Sequence, residues 1–592
     1  MAEEKTITKG GSFLIEDHSP EEIFTPEEIN EEQKMIAKTT EDFVKDKVWP
    51  VLGEIEQHNF DHSVRLLKEA GELGLLGADV PENYGGLGLD KISSTLITEK
   101  ISLGRSFALS HGAHVGIGTL PIVFFGTDEQ KKKYLPALAT GEKFAAYALT
   151  EPGSGSDALG AKTVAKLSAD GKYYLLTGGK QWITNSAFAD VFVVYAKVDG
   201  DKFTAFIVER EFPGVSTGPE EKKMGIKGSS TRTLILEEAR VPVENVLGEI
   251  GKGHLIAFNI LNIGRYKLGA GCMGSAKRAI EISAKYANER TQFKTPIAKF
   301  PLIQEKLATM AAKTYALESA IYRTAGLFEK GLAHLDNAEG AEAAKAIAEY
   351  ALECSITKVF GSEVLDYVVD EGVQIHGGYG FMQEYEIENM YRDSRINRIF
   401  EGTNEINRLL IPATLMRKVM KGELPVMEKA AGLQEELLMY MPTLPEEAPA
   451  PLEEEAKLID NAKKIFLMTA GLAVEKYQME LEKQQEILRD VADIAIEIFA
   501  MESALLRAKK SLEKDGLEKA QAKIDLTTAY VYEAFPRIEQ KAKHTLSAME
   551  EGDTLRTQLS ILKKLTRFEP INEVKLKRTI AKRVLGEEKY VV

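Results

Sequence analysis

Apolar residues recur at three- and four-residue spacing through most of the chain, and only between about residues 142 and 250 does the period shorten to two. That pattern predicts helices at both ends of a β-rich centre, an α+β architecture that is mainly α. Residues 25–140 read as helical. Thr25-Pro26-Glu27-Glu28 and Thr127-Asp128-Glu129-Gln130 each pair a capping hydroxyl with an acid or amide three residues on, which marks a helix start. Pro81-Glu82-Asn83-Tyr84-Gly85-Gly86 reads as a loop between them. In the centre, strands are predicted at Tyr173–Thr177, Val191–Val198, Phe203–Val208 and Arg232–Leu236, with turns at Asp170-Gly171, Gly178-Gly179 and Asp199-Gly200. Short, evenly spaced strands of this kind suit a compact antiparallel sandwich or barrel.

Helical periodicity returns over 253–289, 302–330, 340–371 and 403–420, where Pro412 is expected to kink or unwind the last helix. The predicted units are a helical domain over 25–141, a β domain over 142–250 and a helical bundle over 251–424. A linker over 425–451 then leads to a further helical domain over 452–592. Pro442, Pro445, Pro449 and Pro451, among Glu446, Glu447 and Glu453–Glu455, give the linker an extended, charged character. The last domain carries a repeat. Leu307–Lys330 aligns without gaps on Val491–Lys514, and Ala316, Glu318, Ser319, Ala320 and Arg323 recur as Ala500, Glu502, Ser503, Ala504 and Arg507. Either the tail is a degenerate copy of the bundle, or two amphipathic helices share a composition.

With 592 residues the chain is too long for one core. A formal net charge of −15 argues against nucleic acid as the main partner. Two cysteines, Cys272 and Cys354, imply no disulfide framework and fit a reducing compartment. No run of eighteen apolar residues or N-terminal export signal is apparent, so a cytoplasmic protein without a transmembrane segment is expected. Lys575, Lys577, Arg578, Lys582 and Arg583 suit a solvated helix face better than a peripheral membrane contact.

Candidate chemistry lies in a few short segments. Glu401 stands between Ile399-Phe400 and Gly402, where partial desolvation raises a carboxyl pKa towards that of a useful base. Thr403 and Asn404 then open a helix whose free N–H groups suit a phosphate. Tyr147–Asp157 combines glycines and serines that expose N–H and hydroxyl groups. Gln181-Trp182-Ile183-Thr184-Asn185 presents a ring and a hydroxyl on a strand. Arg290-Thr291-Gln292-Phe293 ends one helix and Gln374-Ile375-His376-Gly377-Gly378 ends another. Each alone equally describes a cap, a solvated loop, sheet core or a helix stop, and His376 reads as structural rather than as a base. No metal-ligand spacing is apparent.

In this order and spacing, the segments resemble the acyl-CoA dehydrogenase family, and most closely its very-long-chain branch, which carries an extra helical tail. The resemblance runs from about 25 to 420. It implies an N-terminal helical domain, a central β domain and a C-terminal bundle that together hold FAD. It further implies that Tyr147, Leu149, Thr150, Gly155, Ser156, Trp182, Ile183 and Thr184 line the flavin. Arg290, Gln292, Phe293, Gln374, Gly377 and Gly378 would reach the FAD of a neighbouring subunit, with Thr403 and Glu405 at the diphosphate. Ser156, Asn262, Arg265 and Gly402 would contact substrate. Lys294 and Pro301 depart from residues common in the family. The activity implied is α,β-dehydrogenation of a long-chain acyl-CoA, as in fatty acid β-oxidation. Glu401 would take the α proton and an electron-transfer flavoprotein would receive the electrons. Some relatives carry the base on the long helix, at the position of Gly264 here. A homodimer is expected, its second dimerisation surface covered by the tail. The rival readings are an acyl-CoA oxidase that uses O₂ and a non-catalytic scaffold on the same fold.

Overall fold

The computed structural model describes residues 7–335, 340–439 and 450–592. Its N-terminal helices include α1 (Glu31–Phe43), α2 (Phe60–Glu72), α3 (Lys91–Ile101), α4 (Ser106–Ala113) and α5 (Asp128–Thr140). Both capping boxes form. The one at Thr25 nucleates only a single 3₁₀ turn, Pro26–Glu28, and the first long helix is capped instead by Asn30, which accepts from Gln33 at 2.9 Å. The run Ser106–Phe125 has the length and apolarity of a membrane span, but most of it is buried in the fold.

The β region is one eight-stranded sheet in the order β6-β7-β3-β2-β4-β5-β8, with β1 added to β4. Its strands are β1 (Ala145–Ala148), β2 (Val164–Leu167), β3 (Tyr173–Thr184), β4 (Val191–Val198), β5 (Lys202–Glu209), β6 (Val215–Thr217), β7 (Thr231–Pro242) and β8 (Val246–Leu247). The sheet is not purely antiparallel: β1 and β2 both run parallel to β4. Gly178-Gly179 makes no turn. Both glycines lie inside β3, where the pairing with β7 shifts register, because a strand glycine marks a bulge as readily as a turn. β4 is buried on both faces. Phe192, Val194 and Ala196 point into the β core, while Val191, Val193 and Tyr195 point into the helical core.

The bundle is built on α6 (Gly253–Glu289), α7 (Pro301–Leu332), α8 (Ala351–His376), α9 (Glu386–Ser394) and α10 (Asn404–Met420). α10 runs through Pro412 without unwinding. A proline removes one backbone donor, and packing on both sides of this helix tolerates that loss. Residues 426–439, assigned above to the linker, form α11 (Val426–Met439); Pro442, Pro445 and Pro449 lie outside the described residues. The tail consists of α12 (Glu453–Tyr477), α13 (Gln485–Asp515), α14 (Leu517–Met549), α15 (Gly552–Leu565) and α16 (Glu573–Glu587).

The repeated helices α7 and α13 pack against each other, and their contacts are reciprocal. Arg323 donates to Glu502 at 2.7 Å and Arg507 donates to Glu318 at 2.6 Å. Arg323 lies over the Phe499 ring and Arg507 over the Tyr315 ring, each at 4.8 Å. Phe499 is the repeat counterpart of Tyr315, so residue i meets j while j meets i, as in an isologous interface. Two buried guanidiniums thus each find a carboxylate and an aromatic face, which such burial requires.

Candidate active site at Glu401

The loop between α9 and α10 holds Glu401 in a left-handed conformation, φ 57°, with Gly402 at φ 80°. For a residue with a side chain this costs about 1–2 kcal/mol. The loop is held by its carbonyls. Arg265 Nε donates to the Glu401 carbonyl at 3.2 Å, and Asn407 Nδ2 donates to those of Gly402 and Thr403 at 2.9 and 3.1 Å. Lys358 Nζ donates to the Gly402 carbonyl at 2.7 Å. Thr403 caps α10 by accepting from Ile406 N–H at 3.2 Å, and Glu405 faces solvent in the first turn. The Glu401 carboxylate has no such partner: its Oε2 is buried without a hydrogen bond. Burial drives the carboxyl upward, Arg265 and Lys358 pull it back, and it settles at about 7. A carboxyl poised near neutrality in a cavity is suited to general-base work.

The cavity runs along α6. Gly264, Leu268, Gly271, Cys272, Ser275 and Arg278 line it at helical spacing, so it extends about 21 Å at ~1.5 Å per residue. At the far end Arg278 is held by Glu386 at 2.8 Å and lies over the Trp49 ring. Ile101, Leu109 and Met390 supply apolar wall. A Cβ on Gly264 would fall 2.6 Å from Glu401 Oε2, so a side chain there and the carboxylate would compete for the same space. The long-helix position and the loop position therefore aim at the same point. Gly269 and Ala270 do not open the cavity: a Cβ on Gly269 would meet the backbone of α8, and Ala270 is core.

At the mouth, the ends of β1 and β3 are locked together. Gln181 N–H donates to the Thr150 carbonyl at 2.8 Å, and the fully buried Lys180 meets Glu151 at 2.7 Å. Between Lys180 and Ile183 the register shifts, which turns Trp182 outward, 59 % exposed and at φ 59°. Thr184 opens into the cavity beside Phe400 and Glu401. The Tyr147 hydroxyl is buried beside that of Tyr195, and burial raises it well above the usual phenol range. Of these, Thr184 lines the cavity, and the exposed ring of Trp182 offers a face to a planar ring system. Leu149 and Ile183 turn their side chains into the cores, leaving only backbone to offer, while Gly155 and Ser156 are exposed. Arg265 is buried and also holds Asn262 at 3.0 Å.

The remaining predicted residues gather elsewhere. Arg290 lies over the Tyr379 ring at 5.4 Å, beside exposed Gln374, Gly377 and Gly378. Gln292 and the 90 % exposed Phe293 sit on a hairpin whose tip, Phe293-Lys294, has positive φ at both residues. That backbone explains why glycine suits the position of Lys294. Gln374 and Lys358 are separated along α8 by about 24 Å, so this group stands away from its own chain's Glu401. His376 is structural, its Nδ1 paired with the Gly372 carbonyl and its ring stacked on Tyr286. Sequence reasoning missed Lys358, Asn407, Lys180 and Glu151.

The family models for the acyl-CoA dehydrogenase N-terminal, middle and C-terminal domains match residues 30–142, 146–239 and 251–416. The chain belongs to the acyl-CoA dehydrogenase family. A second model described as an acyl-CoA dehydrogenase C-terminal domain matches 461–564, within the tail. A probable acyl-CoA dehydrogenase of Bacillus subtilis is 66 % identical over 99 % of both chains. The very long-chain specific mitochondrial enzyme of Macaca fascicularis is 36 % identical over 91 % of this chain and 84 % of its own. The crystal structure of an acyl-CoA dehydrogenase complexed with FAD from Bacillus anthracis matches with a TM-score of 0.97 and 66 % identity, covering 99 % of this chain and 100 % of that one. The protein is thus an FAD-dependent oxidoreductase, an acyl-CoA dehydrogenase with an additional C-terminal domain.

If the cavity geometry at Gly264 is as tight as the structure shows, Gly264→Ala displaces the Glu401 carboxylate. Flavin bleaching by acyl-CoA should slow by roughly 10²-fold with FAD still bound, because displacement of about 1 Å carries that cost. Stopped-flow absorbance checks it, and an unimpaired rate would mean that Glu401 works from another rotamer.

Proposed function

We propose that the enzyme catalyses α,β-dehydrogenation of long-chain acyl-CoA, with Glu401 as the base. The observation that carries the reading is the buried, partnerless Oε2 of Glu401, poised at about 7 at the head of a long cavity. Bound FAD supplies the hydride acceptor that the reaction requires. Glu401 takes the α proton. The cavity walls exclude water from that proton, and the tethers on the carbonyls of Glu401, Gly402 and Thr403 keep the carboxylate aimed. Tyr147, Thr150, Trp182 and Thr184 hold the ring system, with backbone from Leu149, Gly155 and Ile183. Ser156, Asn262, Arg265 and Gly402 serve the CoA side. We place the activity in β-oxidation and the enzyme in the cytoplasm, where both buried, free thiols suit a reducing medium.

The length of the cavity supports the chain preference. At about 1.2 Å per bond, 21 Å accommodates roughly eighteen carbons of an extended acyl chain. The exposed apolar group Phe293, Tyr379, Phe381 and Met382, beside Arg290 and Gly377, suits a second copy of the chain whose FAD these residues, with Gln292, Gln374 and Gly378, would touch. Thr403 and Glu405 belong to the diphosphate end. The reciprocal α7–α13 contacts support reading the tail as a diverged copy that covers the bundle in cis, leaving a homodimer.

Three outcomes follow. Because the carboxyl must be ionised to act, kcat/KM should fall about tenfold per pH unit below about 7. Glu401→Gln should retain FAD, lose 10²–10⁴-fold in the rate of flavin bleaching, roughly the range for removing a general base, and abolish that limb. Normal bleaching by this variant would move the base elsewhere. Next, kcat/KM should be higher for palmitoyl-CoA than for butyryl-CoA, with turnover on an electron-transfer flavoprotein and little peroxide in air. A four-carbon optimum contradicts the cavity assignment, and rapid reoxidation by O₂ favours an oxidase. Finally, light scattering of the full chain should give a dimer, whereas a stable tetramer would remove the covering role of the tail.

A further inference from the structure

Among the charged groups that the proposed reaction leaves unused, one stands directly behind the catalytic loop. We propose that Lys358 is a positioning residue for the base: its buried ammonium tethers the Gly402 carbonyl and supplies an unneutralised positive charge at the back of Glu401. This rests on the reading of Glu401 as the base.

Lys358 is fully buried in α8. Its ammonium donates to the Gly402 carbonyl and to Asn404 Oδ1, both at 2.7 Å, so one cation pins the residue after the base and the first residue of α10. Asn404 is itself immobilised, donating to Ser362 Oγ at 3.0 Å and Glu363 Oε1 at 3.1 Å. Both acceptors of Lys358 are neutral. No carboxylate cancels its charge by contact, and in a dry interior an uncancelled charge acts on its neighbours strongly.

The charged and titratable groups around the pair are few. Glu401 is faced by Arg265 from α6, Lys358 from α8 and Tyr147 from β1. Lys358 is faced by Cys272 and Arg265 from α6, Glu363 from its own helix, and Glu401. Burial brings Lys358 down to about 8, so it remains mostly protonated at neutral pH. With Lys358 charged, Glu401 ionises more readily than burial alone allows. Arg265 has the larger influence on the carboxyl, and its Nε donates to the carbonyl of Glu401 while Lys358 donates to that of Gly402.

The test uses the full-length, FAD-loaded enzyme. In Lys358→Met the acid limb of kcat/KM should move up by about one pH unit, the low end of what an opposite charge at close range produces, and kcat at pH 7 should fall about tenfold. Lys358→Gln, which keeps an N–H donor for Gly402 without the charge, should show the same shift of the limb with a smaller loss of kcat. Independently of turnover, the carboxyl infrared band present in wild type and absent in Glu401→Gln should titrate at higher pH in both variants. An unmoved limb and band in the variants that fold would overturn the proposal. Loss of FAD and fold in both would also overturn it, assigning Lys358 to loop stability alone. An active Glu401→Gln sinks the base assignment itself, whereas an inactive Glu401→Gln with an unmoved limb sinks only the role of Lys358.

Discussion

A carboxylate must be kept dry, unpartnered and aimed at one point, and most of this molecule can be understood as meeting that constraint at Glu401. Three demands conflict. Dryness favours the neutral acid, a direct cation would restore ionisation but occupy the oxygen that has to work, and the left-handed backbone resists the conformation altogether. The structure resolves them by separating side chain from main chain. Arg265, Lys358 and Asn407 bind the carbonyls of the loop rather than the carboxylate. The backbone strain is thus held by several hydrogen bonds, and the cations act on Glu401 through space. Had either cation paired with the carboxylate directly, the group would sit well below neutrality and resist taking a proton.

That solution requires rigid surroundings, and the tail contributes to them. Asn404, held by Lys358, donates to Glu363; Glu363 forms a bidentate pair with Arg408 at 2.7 and 2.9 Å; and Arg408 Nε reaches Asp493 of α13 at 2.6 Å. The polar chain therefore runs unbroken from the catalytic loop into the extra domain. On the other side of the bundle, Lys277 of α6 and Tyr590 near the C-terminus both bond Glu318, which also accepts from Arg507. Such buried pairs are weak evidence for stability, because desolvation offsets most of the attraction. Their directionality is the stronger contribution: each fixes which face of the tail meets which turn of the bundle.

Much of this was legible in one dimension. β4 was predicted at its observed bounds because a strand buried on both faces is a nearly continuous apolar run, here broken only by Lys197. The repeat between α7 and α13 was visible as spaced identities, yet its meaning was not, since periodicity reports that a face is buried and not that two such faces bury each other. Gly178-Gly179 misled because glycine marks turns and bulges alike. Gly269 and Ala270 show the same ambiguity, since small residues suit a close helix crossing as well as an open cavity, and here they pack against α8 and the core. Lys358 was silent for a further reason. Its acceptors are a backbone carbonyl and an asparagine more than forty residues away, and neither leaves a charge pattern in the sequence.

Gly264 shows how such a site constrains what may surround it. The proposed base is defined by a point in space, and two elements reach that point, the loop and α6. Only one may carry a carboxylate: two acids sharing so dry a space would raise each other's pKa until one stayed protonated. When the loop holds the acid, glycine on the helix leaves it room, since a methyl group would fall at 2.6 Å from Oε2 and the carboxylate would have to shift. Glycine in the interior of a long helix costs about 0.5–1 kcal/mol relative to alanine. At Gly264 that cost leaves clear the space occupied by the carboxylate of Glu401, the proposed base. Placement of the proposed base and the absence of a side chain at Gly264 on α6 are therefore linked at one point in space.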